Sequence, residues 1–207
     1  IEKVSYEEAA EMAAMGARVL HPLTIEPARK KNIPILVLNS GNLECPGTVV
    51  TREDKAPVGP KSIATQERIF FITVQSPKLI GVTNMLAKVS TALAARNIPV
   101  VMATASESEV YVTVPQEKDG LEEGLDDVLK SLSAWAEVTV YRNKAQISII
   151  GRGMIAFEGL GDKTISLSGK VYMVSLGTNL LSESFVIDRD RLQDTLEGLH
   201  NYIFKQS

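Results

Sequence analysis

The chain has 207 residues, 44% hydrophobic and 23% charged, a composition that excludes a disordered polymer. Its 22 basic and 25 acidic side chains leave a formal net charge of -3, which gives no electrostatic footprint for nucleic acid. Apolar runs such as Ile69 to Val74 are far shorter than the roughly 20 residues of a membrane helix, so no membrane partner is expected. The single cysteine, Cys45, excludes an intrachain disulfide and points to a reducing, cytoplasmic compartment. Two dispersed histidines and one cysteine cannot make an ordinary His/Cys zinc site. Ile1 to Ser5 is not a signal peptide, and the chain begins within a pattern, as a fragment does.

Ser5 with Glu8 three residues on is a capping box, and Ala9, Met12, Ala13, Gly16 and Ala17 continue at helical spacing. Pro22 interrupts that helix, a short one is expected over about 24–31, and strands over 32–38 and 47–50. Residues 1–50 hold too few elements for a core of their own and read as the tail of an α/β domain. Residues 51–68, rich in Pro, Gly, Lys and Glu, read as a linker.

From Ile69 the pattern becomes regular: strand 69–75, helix 82–96, strands 98–104 and 109–114, helix 121–132, strand 136–141. This β-α-β-β-α-β order is the ferredoxin-like plan. It restarts about 75 residues later with a strand over 145–150, a Gly-broken helix position over 152–167, strands over 170–175 and 182–187, and a helix over 189–204. Ser108-Glu109-Val110-Tyr111-Val112 aligns with Ser182-Glu183-Ser184-Phe185-Val186. The expected fold class is therefore α+β, two tandem ferredoxin-like units, 69–142 and 143–207, behind an α/β tail. The second unit lacks a sixth strand, so strand donation by a partner or closure across a dimer is expected.

Catalytic signals are sparse. Gly151-Arg152-Gly153 lacks the third glycine of a dinucleotide fingerprint. His21 beside Pro22 has no Ser or Cys companion. Arg29-Lys30-Lys31 reads as a solvated helix end with favourably placed cations, and Glu122, Glu123, Asp126 and Asp127 as the wet face of a helix. Met12, Met15, Met85, Met102 and Met173 read as core filling. The more specific feature is the loop Gln75 to Val82 between a strand and a helix start, where unpaired backbone N–H groups could hold the carboxylate of a small amino acid. An ordinary β-α turn is the competing reading.

Glu7-Glu8-Ala9-Ala10-Glu11-Met12, Gly16-Ala17-Arg18-Val19-Leu20-His21-Pro22, Asn32-Ile33-Pro34-Ile35 and Pro46-Gly47-Thr48 resemble the end of an aspartate kinase catalytic domain. The repeats resemble the paired ACT domains of the lysine-sensitive, single-function members, through Gln75-Ser76-Pro77, Met85-Leu86-Ala87, Asn97-Ile98-Pro99-Val100 and Leu199 to Phe204. The resemblance implies a parent enzyme of the amino-acid-kinase fold that phosphorylates the side-chain carboxylate of L-aspartate with ATP and Mg2+. It implies feedback inhibition through the ACT domains by an end-product amino acid, lysine first, and a homodimer through those domains. This chain alone, without the rest of a kinase domain, is expected to have no kinase activity. Arg18 stands where the family usually places a nucleotide-contacting Lys.

For the effector, the resemblance implies a pocket from Ser76, Leu79, Val82, Asn84 and Leu86 of the loop and helix with Val100, Val101 and Ser106 of the facing strand. Val101 replaces the Asp that takes an effector's ammonium in lysine-binding relatives, and an apolar residue cannot pair with a buried cation. The broken first helix of the second repeat favours a pairing role for it over a binding role. Two other functions compete: a regulatory subunit or amino-acid sensor without catalysis, and a purely dimerising element.

Overall fold

The computed structural model describes residues 1–17, 20, 22–42, 44–52, 58–116, 121–154, 157–176 and 181–205. The chain separates into two compact units: residues 1–65 with 147–186 and 191–207, and residues 66–146 with 187–190.

The first unit opens on a three-stranded sheet. β1 (Lys3–Ser5) runs parallel to β3 (Thr48–Thr51), and β2 (Ile35–Val37) pairs antiparallel on the other edge of β3. α1 (Tyr6–Ala14) starts on the expected capping box: the Glu8 N–H donates to Ser5 Oγ, and the Ser5 N–H to Glu8 Oε2. α2 (Pro22–Lys31) begins at Pro22, a position where a missing N–H costs nothing. Val4, Tyr6, Ala9, Ile25 and Val50 form the small core, and the Tyr6 hydroxyl donates to Ile33 O at 2.6 Å. The basic end of α2 is solvated, with Arg29 on Glu26 and Glu7 and Lys30 on Glu26, all exposed pairs of small worth.

The second unit contains most of β4 (Ser62–Gln75), then α3 (Val82–Ala94), β5 (Met102–Ala105), β6 (Glu109–Pro115), α4 (Leu121–Ser133) and the first part of β7 (Glu137–Ile150). This is the expected β-α-β-β-α-β order. β6 is antiparallel to β4, with Phe71 opposite Thr113, and β5 is antiparallel to β6, with Met102 opposite the same Thr113. The period-two set Phe70, Ile72 and Val74 meets Val110, Val112 and Val114 on one face. Met85, Val89 and Leu93 of α3 and Leu125, Val128 and Leu132 of α4 cover it. The strand expected from 98 starts only at Met102, because Asn97 is left-handed (φ 53°) and Pro99 has no N–H for a ladder.

The second repeat follows as the end of β7, α5 (Leu160–Ser168), β8 (Val171–Leu176), β9 (Ser182–Asp188), a 3-10 turn (Arg189–Arg191) and α6 (Leu192–Phe204). Hydrogen-bonded neighbours in the six-stranded sheet run β5-β6-β4-β7-β9-β8. The first helix of this repeat is short, starting after Gly159 (φ 79°).

Three expectations change. Residues 62–68 are strand rather than linker, with Ala64 buried and Ser62, Ile63, Thr65 and Gln66 half-buried beside it. The strands expected over 136–141 and 145–150 are one, because Arg142-Asn143-Lys144 has neither Gly nor Pro and continues the pleat. The closing strand of the second repeat comes from upstream in the same chain, not from a partner. The Gly59 N–H donates to Arg152 O at 2.7 Å and the Lys61 N–H to Ile150 O at 2.8 Å, an antiparallel progression onto the end of β7.

Candidate functional site

The loop from Ser76 to Gly81 in the second unit joins β4 to α3. Two backbone bonds hold its ends: the Ser76 N–H on Ser108 O at 2.7 Å and the Gly81 N–H on Glu107 O at 3.2 Å. Inside, Ser76 Oγ accepts the Lys78 N–H at 3.2 Å, so the buried serine shapes the turn. Gly81 is the N-cap of α3 with φ 85°, a conformation that favours glycine. It offers no side-chain acceptor, so the first-turn N–H groups of α3 have no cap side chain and face outward with the positive end of the helix dipole. A carboxylate is the complement of that arrangement.

The other expected residues divide. Asn84 turns back and donates Nδ2–H to Ile80 O at 2.7 Å, closing the loop from the helix side. Leu79 and Val82 are exposed, Leu79 at 77%. Leu86 and Val100 line a cavity of about 250 Å³ between α3, β5 and β6, with Ser90, Leu93, Ala94, Ile98, Ala103, Val110 and Val112. Val101 is half-buried, its N–H on Thr113 O at 2.9 Å, and Ser106 is exposed, its N–H on Glu109 O at 2.8 Å. Arg18 and His21 lie outside the described residues.

The charge at this end of the unit is mixed. Glu107 is exposed beside the loop, and Lys78 stands within it. The Tyr111 hydroxyl donates to Glu109 Oε2 at 2.5 Å. That bond, helped by burial, raises the tyrosine's pKa above its usual value. Tyr111 stacks on Phe71, with ring centroids 6.1 Å apart, and Phe71 also meets Tyr141 at 5.8 Å. The cavity lining runs along α3 from Leu86 to Ala94 and includes none of Ser76 to Asn84, so the uncapped N–H groups and the apolar cavity are separate features of this unit. The cavity was hidden in the sequence, since its lining comes from three elements and includes plain core residues.

Elsewhere the bland readings hold: Met85, Met102 and Met173 are buried, and Asp127 and Glu122 of α4 make exposed pairs with Arg96 and Arg142. Among the described residues no cluster of three His, Cys, Asp or Glu could hold a metal ion, and no helix is long and apolar enough to cross a membrane.

Two family models match parts of the chain: the amino acid kinase family over residues 1–39 and the ACT domain over residues 64–119. More particularly, nearly the whole chain is similar to part of several aspartokinases. It is 31% identical over 214 residues to the chloroplastic aspartokinase 3 of Arabidopsis thaliana, covering 99% of this chain and 38% of that relative. It is 28% identical over 210 residues to the lysine-sensitive aspartokinase 3 of Escherichia coli, covering 99% of this chain and 47% of the relative. The crystal structure of E. coli aspartokinase III with aspartate and ADP superposes with a TM-score of 0.87 at 28% identity, over 99% of this chain and 47% of that one. The same enzyme with lysine and aspartate gives a TM-score of 0.82 at 28% identity, over 99% of this chain and 46% of that one. The chain thus spans less than half the length of these relatives.

Proposed function

We propose that this chain is the regulatory C-terminal part of an aspartate kinase, whose whole protein phosphorylates the side-chain carboxylate of L-aspartate with ATP. The observation that carries the reading is the chain-long homology, which joins a kinase-family segment to an ACT repeat in the order found in E. coli aspartokinase III. ATP, with Mg2+, serves the whole protein's reaction. In this chain Arg18 is the residue expected at the nucleotide, and the isolated chain is expected to form no aspartyl phosphate, since phosphoryl transfer needs several positioning groups at once.

The loop of the first repeat takes an amino-acid effector. Its carboxylate sits on the uncapped N–H groups at the start of α3, and its side chain lies toward Val100 to Ser106, with Ser106 as the polar partner on that stretch. Lysine is the first candidate, because the E. coli relative was solved with it. Val101 offers its ammonium no anion, so Glu107 is the nearest acid of the loop region to take it. The kinase-family segment favours this reading over a freestanding sensor. The chain is expected to dimerise through its ACT repeats, as β5 and β8 stand at the edges of the six-stranded sheet among the described residues.

Thermal-shift titration of this chain with lysine, threonine and methionine tests the reading. A specific ligand at 100 times its Kd stabilises by about 2.7 kcal/mol. No shift with any of them, or a monomer by light scattering at high micromolar concentration, contradicts it.

A further inference from the structure

Within the first unit, α1 meets the second repeat through polar side chains at helical spacing. Glu8, fully buried, takes the Lys61 ammonium at 3.0 Å while holding the Ser5 N–H at 2.9 Å. One turn on, Glu11 Oε1 accepts the Ser182 hydroxyl at 2.5 Å. A further turn on, Met15 Sδ accepts the Ser184 hydroxyl at 3.9 Å, and Ser184 is also bonded to Ser148 at 2.7 Å. The repeat therefore meets α1 with a buried row of hydroxyls, Ser148, Ser184 and Ser182, where a permanent interface would ordinarily be apolar.

The chemistry of that row makes the docking reversible. Buried hydrogen bonds exchange nearly evenly with bonds to water, so they fix orientation more than they add affinity. The ion pair loses much of its attraction to desolvation, and Glu8 Oε1 is buried with no hydrogen-bond partner among the described residues. Release also parts Tyr6 and Ala9 from the small core with Val4, Ile25 and Val50, and α1, with nine residues, is too short to persist as a helix on its own.

We propose that α1 is a releasable strap: a helix of the kinase-family segment held on the second repeat by Glu8–Lys61 and Glu11–Ser182, and freed as a unit without unfolding that repeat. The second repeat then serves as the seat of the kinase segment. Under the aspartate kinase reading, on which only this consequence rests, release of α1 carries the regulatory signal.

Amide hydrogen exchange on the full chain decides the strap. Residues 7–14 should exchange at least about tenfold faster than α6, which belongs to the same unit. Replacing the polar pair by an apolar one, Glu11→Leu with Ser182→Val, should slow α1 at least about tenfold, and Lys61→Met should speed it, with α3 unchanged in both. Should Lys61→Met fail to fold, the apolar pair still gives the test. Exchange of α1 at the rate of α6, or no slowing by the apolar pair, overturns the strap. In the intact parent enzyme, the apolar pair should raise the effector concentration for half-inhibition at least about tenfold, and effector binding by calorimetry should weaken with it, as linkage requires. Unchanged inhibition despite a slowed α1 overturns the regulatory role. A parent that responds to no amino acid overturns that role together with the effector reading, while the exchange result still decides the strap.

Discussion

Gly151→Ala should unseat the strand that closes the second repeat. A Cβ at Gly151 would lie 1.9 Å from Gly59 O, 2.8 Å from Gly59 C and 3.0 Å from Lys61 N, all backbone atoms. No rotamer change relieves such a contact, so the 59–61 backbone must retreat by about 1.5 Å to reach the 3.4 Å of ordinary contact. That retreat breaks the bonds from Gly59 to Arg152 and from Lys61 to Ile150, at 2.7 and 2.8 Å. Two net hydrogen bonds are worth about 1–3 kcal/mol together, and overpacking adds about 1–3 kcal/mol. The expected loss is therefore about 2–6 kcal/mol, a large part of the 5–15 kcal/mol typical of a folded domain. Gly161→Ala is the control: nothing lies within 4 Å of its Cβ, and the site is within α5, so a gain of up to about 1 kcal/mol is expected. Urea unfolding followed by circular dichroism reads both. A Gly151→Ala midpoint equal to that of the unsubstituted chain would refute the close pairing of 59–61 with β7.

Glu183 is buried, Oε2 has no hydrogen-bond partner among the described residues, and burial pushes its pKa up. An acid whose pKa is raised on folding stabilises the fold below its unfolded pKa and loses that contribution as pH rises through the folded one. Glu183→Gln should therefore gain about 1–2 kcal/mol at pH 7, shrinking toward zero as pH falls below the ordinary carboxylate range, and urea midpoints across that range check the sign. Val101→Asp should strengthen lysine binding roughly ten- to a hundredfold by calorimetry, since an ion-assisted hydrogen bond is worth on the order of 1.5–3 kcal/mol. Tight lysine binding by the unsubstituted chain with no gain from Asp would place the ammonium on another acid, Glu107 first.

Local grammar was legible. Ser5 and Glu8 announced their capping box because its two bonds need only a four-residue span. The apolar spacing of Met85, Val89 and Leu93 gave α3 its buried face, and the match of 108–112 with 182–186 exposed the repeat as β6 and β9. The loop proposed for the effector stands out in the sequence because a strand, a Ser-Pro turn and a glycine precede the helix. What escaped depends on distant chain. Thr65-Gln66-Glu67-Arg68 reads as a polar connection, and nothing local tells that its neighbours at 59–61 pair with residues 150–152. The hydroxyls at 148, 182 and 184 read as polar strand positions, and only the docking of α1 explains why they are buried.

The upstream origin of the closing strand fixes where the chain can be cut. A fragment starting at Ile69, the natural boundary by sequence periodicity, keeps every element of the second repeat except the strand that covers β7. It leaves the N–H and C=O groups of Ser148 to Arg152 facing water or another chain. Within that stretch Ile149 and Ile150 are fully buried, and any apolar surface they expose costs about 25 cal/mol per Å². An exposed apolar edge recruits another strand. The 69–207 fragment should therefore associate in a concentration-dependent way and melt lower than one starting at Val58, which restores the bonds to Ile150 and Arg152. Light scattering and thermal melts of the two fragments compare them directly. Equal melting and equal mass would mean that the second repeat closes without its upstream strand.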